Sequence, residues 1–407
     1  MLRSLSFLAQ MKLNQWKSRE EIEELQRRKF AALLDSARKK VQFYKKYPDA
    51  ELGRLPLLSK EQILEAPESF LSVPKCLLFS FPTSGSSGQP LPVYYSGVEG
   101  AYGAALSHFQ YLEAGAAPWK KVTAFSHYEP PSTPFLELLG RRWEYLSVFD
   151  HESKCLAEIG KSRPDIVISC PSLLSLLARE NNDTGNRICV PKIFSRSEHL
   201  SRENRALIQD SFSCQVHNFY GTNEASWVAW ECEAGSIHVH SDSVMLEVVD
   251  QEGKSLGPGI EGDIAITPLW RNSMPFLRYL IGDRGILGTE CSCGRGTHIL
   301  EKLVGRDDDF IILPGGGRVS ARSINLLDEF HSLKQYQIIQ KTPRRLVFRY
   351  VPSKTWDGTV NALVRERILR GCKGEELDIE FEETDKISRG KTGKIQAVVS
   401  ELGGPDD

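Results

Sequence analysis

Thr83-Ser84-Gly85-Ser86-Ser87-Gly88-Gln89-Pro90 is a stretch that can add little to a hydrophobic core. Its glycines reach backbone angles that side chains forbid, and its N–H and O–H groups can surround phosphate oxygens. Alone, such a Ser/Gly tract reads as a plain loop or linker. Four later segments change that reading: Tyr220-Gly221-Thr222-Asn223-Glu224, Tyr279-Leu280-Ile281-Gly282-Asp283-Arg284, Gly305-Arg306-Asp307-Asp308-Asp309 and Gly393-Lys394.

Each segment offers a part that ATP chemistry needs. A Tyr after a strand can stack on a purine, and a Glu in the same loop can hold Mg²⁺. An Asp in a turn can accept both ribose hydroxyls. An Arg and a late Lys can neutralise phosphate charge. Singly, these are a loop, a turn and a solvated tail; it is their order and spacing that points to a nucleotide.

The chain has 407 residues, 41% apolar and 26% charged, with a formal net charge of −2. That length favours two or three domains, and the composition is that of a globular protein. A near-neutral chain has no global field to recruit nucleic acid or an anionic membrane. Leu5 to Met11 is too short and interrupted for a signal sequence, and no run approaches a membrane span. Nine scattered cysteines therefore predict a reducing, cytoplasmic setting, with any grouped cysteines serving a metal.

Ser18 and Glu21 fit a capping box ahead of a long helix whose apolar positions include Ile22, Leu25, Phe30, Leu33, Leu34, Ala37 and Val41. Its charged face, with Arg27, Arg28, Lys39 and Lys40, reads as solvated. Ser59 and Gln62 open a short helix over Lys60–Ala66. Strands are predicted at Lys121–Ser126, Tyr145–Phe149, Asp165–Ser169 and Val216–Tyr220, alternating with helices such as Pro171–Glu180 and Ser201–Ser211. That alternation predicts a largely parallel α/β sheet. From Val244 the texture becomes hairpin-like: Val244–Val249, a turn at Asp250–Gly253, then Gly262–Thr267. A compact tail holds strands at Leu346–Val351 and Leu377–Glu382 around a helix at Val360–Leu369. The domain boundary is placed near Val304–Asp309.

The five motifs together resemble the adenylate-forming superfamily of acyl- and aryl-coenzyme A synthetases, adenylation domains and luciferases. Within it the chain is most similar to the phenylacetate–coenzyme A ligase family. Three features carry that finer match: Val41-Gln42-Phe43-Tyr44 ending the N-terminal helix, Met274-Pro275-Phe276-Leu277-Arg278-Tyr279 before the Gly-Asp turn, and Cys291-Ser292-Cys293-Gly294-Arg295. The resemblance implies an α/β large domain, residues 1–304, of stacked sheets with a small barrel-like β portion. A small mobile α+β domain, residues 305–407, would follow.

By position, the resemblance places Thr83, Ser84, Gly85, Ser86, Ser87 and Gly88 over the β- and γ-phosphates. It places Tyr220 on adenine within the loop Gly221, Thr222, Asn223, Glu224, with Glu224 on Mg²⁺ and Asp283 on the ribose. Arg306 would contact ribose or phosphate, Asp308 would be the hinge, and Lys394 would bridge the carboxylate and the α-phosphate. The implied activity is AMP-forming ligation of a carboxylic acid to coenzyme A. Alternatives are transfer to a carrier-protein phosphopantetheine or an amine, and, in another class, a nucleotide-binding pseudo-enzyme. Oligomeric state is left open, a homodimer being one possibility.

Cys232 and His238, with Cys291 and Cys293 about fifty residues on, can assemble a tetrahedral Zn²⁺ site, with His240 as the alternative ligand. Some members of the resembled family carry such a site. With four protein ligands its role would be structural.

The chain also departs from the family pattern. Leu91 and Gln89 replace polar and basic residues around Pro90, and Asn223 replaces a Thr. Phe125–Leu139, rich in proline and aromatic residues, replaces a glycine-rich stretch that lines the acyl pocket. Pro314–Arg318 and Ser320–Asn325 also differ.

Overall fold

A computed structural model describes residues 2–402, apart from 49–52, 54, 81–89, 127–141, 186, 307–309, 321–323, 325, 327–329, 331, 354–355, 373 and 389–396. Helices α1 (Leu2–Asn14) and α2 (Arg19–Lys40) open it. Ser18 accepts from Glu21 N while the Glu21 side chain returns to Ser18 N. Such reciprocal capping contributes about 1 kcal/mol. Ile22, Phe30, Leu33, Leu34 and Ala37 are buried at the expected spacing. The same box, Ser59 with Gln62, starts α3 (Lys60–Glu65). Helix α1 was not foreseen, because its support is distant: the Phe7 ring packs 4.8 Å from that of Tyr102.

Strands β1 (Phe79–Ser80) and β2 (Tyr94–Tyr95) form a small antiparallel pair that leads into α4 (Gly97–Glu113). The parallel region then comprises β3 (Lys121–Ser126), β4 (Arg142–Ser147), α5 (Glu152–Ser162), β5 (Ile166–Ser169), α6 (Pro171–Thr184), β6 (Lys192–Arg196), α7 (Arg202–Phe212) and β7 (Gln215–Thr222). Side chains alternate across it, as a sheet covered on both faces requires. Val122, Ala124, Ile166 and Phe194 pack with α4 and Met11 of α1, whereas Phe125, Val167 and Ile193 pack with α5, α6 and α7.

The antiparallel region follows: β8 (Ser226–Glu231), β9 (Ile237–Val239), β10 (Val244–Val249), β11 (Glu261–Pro268), β12 (Tyr279–Gly288) and β13 (Ile299–Arg306). All eleven strands from β3 to β13 belong to one sheet, ordered β10-β11-β12-β13-β9-β8-β7-β6-β5-β3-β4. Its seam is β9, which pairs Ala229–Glu231 of β8 on one side and Ile299–Leu300 of β13 on the other.

After β14 (Phe310–Ile312) and β15 (Arg318–Ser320), the tail forms its own four-stranded sheet from β16 (Leu333–Thr342), β17 (Arg345–Pro352), β18 (Asp378–Glu383) and β19 (Val398–Ser400), ordered β18-β17-β16-β19. Helix α8 (Thr359–Gly371) is the crossover joining the parallel neighbours β17 and β18. This sheet has a core of its own, including Ile338, Leu346, Phe348, Val364, Ile368 and Ile379. Among the described residues no helix is long and apolar enough to cross a membrane.

Candidate active site and metal centre

The loop between β7 and β8 carries Tyr220 to Glu224. Its chain reversal requires Gly221: a Cβ there would lie 2.4 Å from Ser226 O and 2.9 Å from the Trp227 ring. Thr222 Oγ1 closes the turn by accepting from Ala225 N at 3.1 Å. Strand β12 faces this loop. Gly282 on it has φ +75°, and Asp283 follows, in register with Arg306 of β13.

Three predicted site residues come together here. The Tyr220 hydroxyl donates to Asp283 Oδ2 at 2.5 Å, and Glu224 Oε1 accepts from the Tyr279 hydroxyl at 3.2 Å. Tyr220, Glu224 and Asp283 are all buried. Polar groups this well shielded act through a low effective dielectric, where a bound charge is felt strongly. Asn223 presents its carbonyl to the Tyr95 hydroxyl.

Thr83–Gly88, Asp308 and Lys394, together with 127–139 of the altered acyl-pocket stretch, lie outside the described residues; of Arg306 only the backbone is described. Leu91 is described and fully buried, packed into the core beside Val93 and Tyr94. It acts as an anchor for the returning chain, which explains an apolar residue there.

Sequence reasoning assigned no role to Tyr279 or Tyr95. Tyr279 is held by an unusual support: Arg278, at φ 52°, is buried and bonds Glu247 (3.1 Å), Leu55 O (2.8 Å) and Gly253 O (2.6 Å). Tyr95 carried no local signal, since its partner Asn223 is distant in sequence. The carboxyl edge of β6 was also missed. Ser197 sits at φ 73°, one position beyond the Arg196–Phe219 rung, where open α/β sheets place ligands.

Two of the motif segments turn out to touch. Tyr44 donates to Pro275 O at 3.0 Å and accepts from Leu277 N at 3.1 Å. Burial raises its phenol pKa above the ordinary value. The end of the N-terminal helix thus fixes the segment that delivers Tyr279.

The second cluster lies at the far end of the seam. Cys232, His238, Cys291 and Cys293 place one ligand atom each within 4.8 Å of all the others. The Cys232 and Cys291 sulfurs are 3.7 Å apart, and His238 Nε2 is 3.3 Å from Cys293 Sγ. A disulfide would need ~2 Å, whereas thiolates on a tetrahedral zinc sit about 3.8 Å apart. His238 Nδ1 lies 2.8 Å from Thr297 Oγ1, which aims Nε2 at the sulfurs. Burial, with the nearby Arg295 charge, lowers this imidazole to about 4, so it is neutral and able to ligate. Burial pushes the Cys232 thiol up to about 12; metal binding would remove that proton. His240 takes no part, packing edge-on against Phe109 at 5.5 Å. None of the nine cysteines is in a disulfide.

No protein-family model matches the chain. It is 31% identical to a phenylacetate–coenzyme A ligase of Thermus thermophilus over 163 residues, 38% of this chain and 36% of that protein. The matched stretch therefore spans about a third of that relative's length. Protein CapK of Staphylococcus aureus aligns over 93% of this chain and 89% of its own length, at 20% identity. Among solved structures, a 2-hydroxyisobutyryl–coenzyme A ligase in its postadenylation state with R3-HIB-AMP superposes with TM-score 0.73 at 17% identity, covering 94% of this chain and 89% of the other. An anthranilate–coenzyme A ligase bound to anthranoyl-AMP gives 0.56 at 14% identity, covering 78% and 65%. These structures establish the fold.

Proposed function

We propose that the chain is a member of the phenylacetate–coenzyme A ligase family of the adenylate-forming superfamily, a reading supported by its partial likeness to two such ligases and by its fold, and that it activates a carboxylic acid with ATP and passes the acyl group to the thiol of coenzyme A. The observation that carries the reading is the convergence of Tyr220, Glu224 and Asp283 in one buried site, from segments some sixty residues apart.

In the first half-reaction a carboxylate oxygen attacks the α-phosphorus of ATP. The bond to the bridging oxygen breaks, and pyrophosphate leaves with its electron pair. In the second, the thiol sulfur attacks the acyl carbonyl, AMP leaves, and the thiol proton passes to solvent. Tyr220 would stack on adenine and Asp283 would hold the ribose hydroxyls. Thr83–Gly88 would wrap the outer phosphates, and Arg306 would contact ribose or phosphate. Mg²⁺ held by Glu224 would offset the charge of the triphosphate. Lys394 would bridge carboxylate and α-phosphate, two anions that otherwise repel, and rotation of the small domain about Asp308 would withdraw it before thiol attack.

Zn²⁺ at Cys232, His238, Cys291 and Cys293 would be structural: the four protein donors leave no open position. A reducing cytoplasmic setting would keep these thiols available as ligands.

ATP–pyrophosphate exchange across aryl, fatty, amino and small carboxylic acids tests the reading. A carboxylate-dependent signal is expected and names the acid class. Silence across the panel from protein that still binds ATP would replace it with a nucleotide-binding pseudo-enzyme. Competition between coenzyme A and a holo carrier protein then identifies the acceptor.

A further inference from the structure

Arg271 lies three residues beyond β11 and is fully buried. Its Nη2 donates to Tyr94 O at 2.7 Å, while Nε and Nη1 meet no hydrogen-bond acceptor of good geometry among the described residues. The guanidinium sits 3.7 Å from the centroid of the Tyr95 ring. Glu99, the acidic side chain beside this segment, is already engaged. Its Oε1 accepts from Asn272 N (2.6 Å) and Ser273 N (2.8 Å), and its Oε2 from Ser96 N (2.7 Å). Arg271 thus has an aromatic face and one carbonyl, but no ion pair among the described residues. Burying a cation without a counter-ion costs several kcal/mol, so the unspent charge calls for an anion brought by a ligand.

The surroundings say which anion. Tyr95, stacked on the guanidinium, donates its hydroxyl to Asn223 O in the loop that carries Glu224. Tyr94, gripped through its carbonyl, belongs to the strand that ends the Ser/Gly-rich connection. The adenylation reading assigns the first of these to magnesium, and the second follows the Thr83–Gly88 stretch that it assigns to phosphate; neither is assigned to the acid. The Tyr95 hydroxyl lies between opposite fields: burial raises its pKa, Arg271 opposes that rise and Glu224 reinforces it.

We propose that Arg271 is a positioning residue for the pyrophosphate end of the nucleotide, clamping the Tyr94–Tyr95 strand to the Asn223–Glu224 loop and supplying the site's fixed positive charge. This inference rests on the adenylation reading. It acts before the bond at the α-phosphorus breaks and favours the charge that collects on departing pyrophosphate.

The test compares binding of ATP, pyrophosphate and AMP by calorimetry for wild type, Arg271→Met and Arg271→Lys. The Met variant should lose about tenfold or more in affinity for ATP and pyrophosphate, the scale of one interaction with a charged group. AMP binding should hold, and Lys, which keeps the charge, should recover most of the loss. Equal weakening of AMP and ATP, or no weakening at all, overturns the proposal. If the Met variant does not fold, Lys alone decides: near-normal pyrophosphate binding supports the charge, and loss equal for AMP and pyrophosphate refutes it. Wild-type protein that binds neither ATP nor pyrophosphate would overturn the adenylation reading itself, whatever the variants do.

Discussion

The Tyr220 hydroxyl and the Asp283 carboxylate meet at 2.5 Å although their strands are not neighbours. Strands β13, β9 and β8 lie between β12 and β7 in the sheet order. In a flat sheet four strand spacings would separate them by about 19 Å. The sheet must therefore curl so that its antiparallel half folds back over the carboxyl end of β7. The cleft so enclosed is where adenine and ribose are proposed to lie.

Tyr220→Phe keeps the ring and removes the donor to Asp283. A hydrogen bond to a charged group is worth roughly 1.5–3 kcal/mol, so the KM for ATP should rise about tenfold or more with kcat little changed. Steady-state exchange kinetics checks it. An unchanged KM together with a lowered melting temperature would assign the bond to the fold alone.

Lys394→Ala should reduce adenylate formation by at least ~10²-fold, the scale of one preorganised electrostatic contact, while the far-ultraviolet spectrum stays native. Single-turnover acyl-adenylate formation measures it. Near-normal formation would remove Lys394 from the mechanism.

Much of this was legible in advance, and the residues explain why. The caps at Ser18 and Ser59 and strand β3 are local signals, and the structure reproduces them. The pair β10 and β11 also matches, with the Asp250–Gly253 turn between them. What escaped depends on partners far along the chain. Helix α1 is stabilised by α4, Tyr95 is placed by Asn223, and Arg271 has meaning only beside Tyr94. Motif spacing singled out Tyr220, Glu224 and Asp283 as candidates, but no sequence pattern states that the sheet curls to join two of them.

The Cys/His cluster predicts about one zinc per chain in protein purified without chelator. Because it sits where β8, β9 and β13 join, chelation or Cys291→Ser should lower the melting temperature by roughly 5 °C or more. Elemental analysis paired with calorimetry checks both. Protein without stoichiometric zinc would show that these four donors serve as packing.

His298 predicts an acid limb in stability. Burial, and then the Arg19 charge, lowers its imidazole to about 4. Above pH ~6.5 it is neutral in both the folded and unfolded states. As pH falls from there towards 4, the unfolded chain takes up a proton that the folded one refuses, so stability declines across that window. His298→Gln should flatten this part of the curve by about 1–3 kcal/mol. Denaturant midpoints from pH 7 to 4 measure it; parallel curves for variant and wild type would exclude His298 as the source.

Strand β9 has a consequence in time. It joins β8, a few residues behind it, to β13, about sixty residues ahead. The near pairing closes a short loop and can form early. The far one must wait until β10, β11 and β12 have been made and laid down, because long loops close late. A nascent chain stopped before Ile299 would leave the outer edge of β9 uncovered, open to pairing with another chain. Completion of β13 is thus the step that seals the sheet, and the proposed zinc ligands Cys291 and Cys293, just upstream of it, arrive in time to fasten that closure.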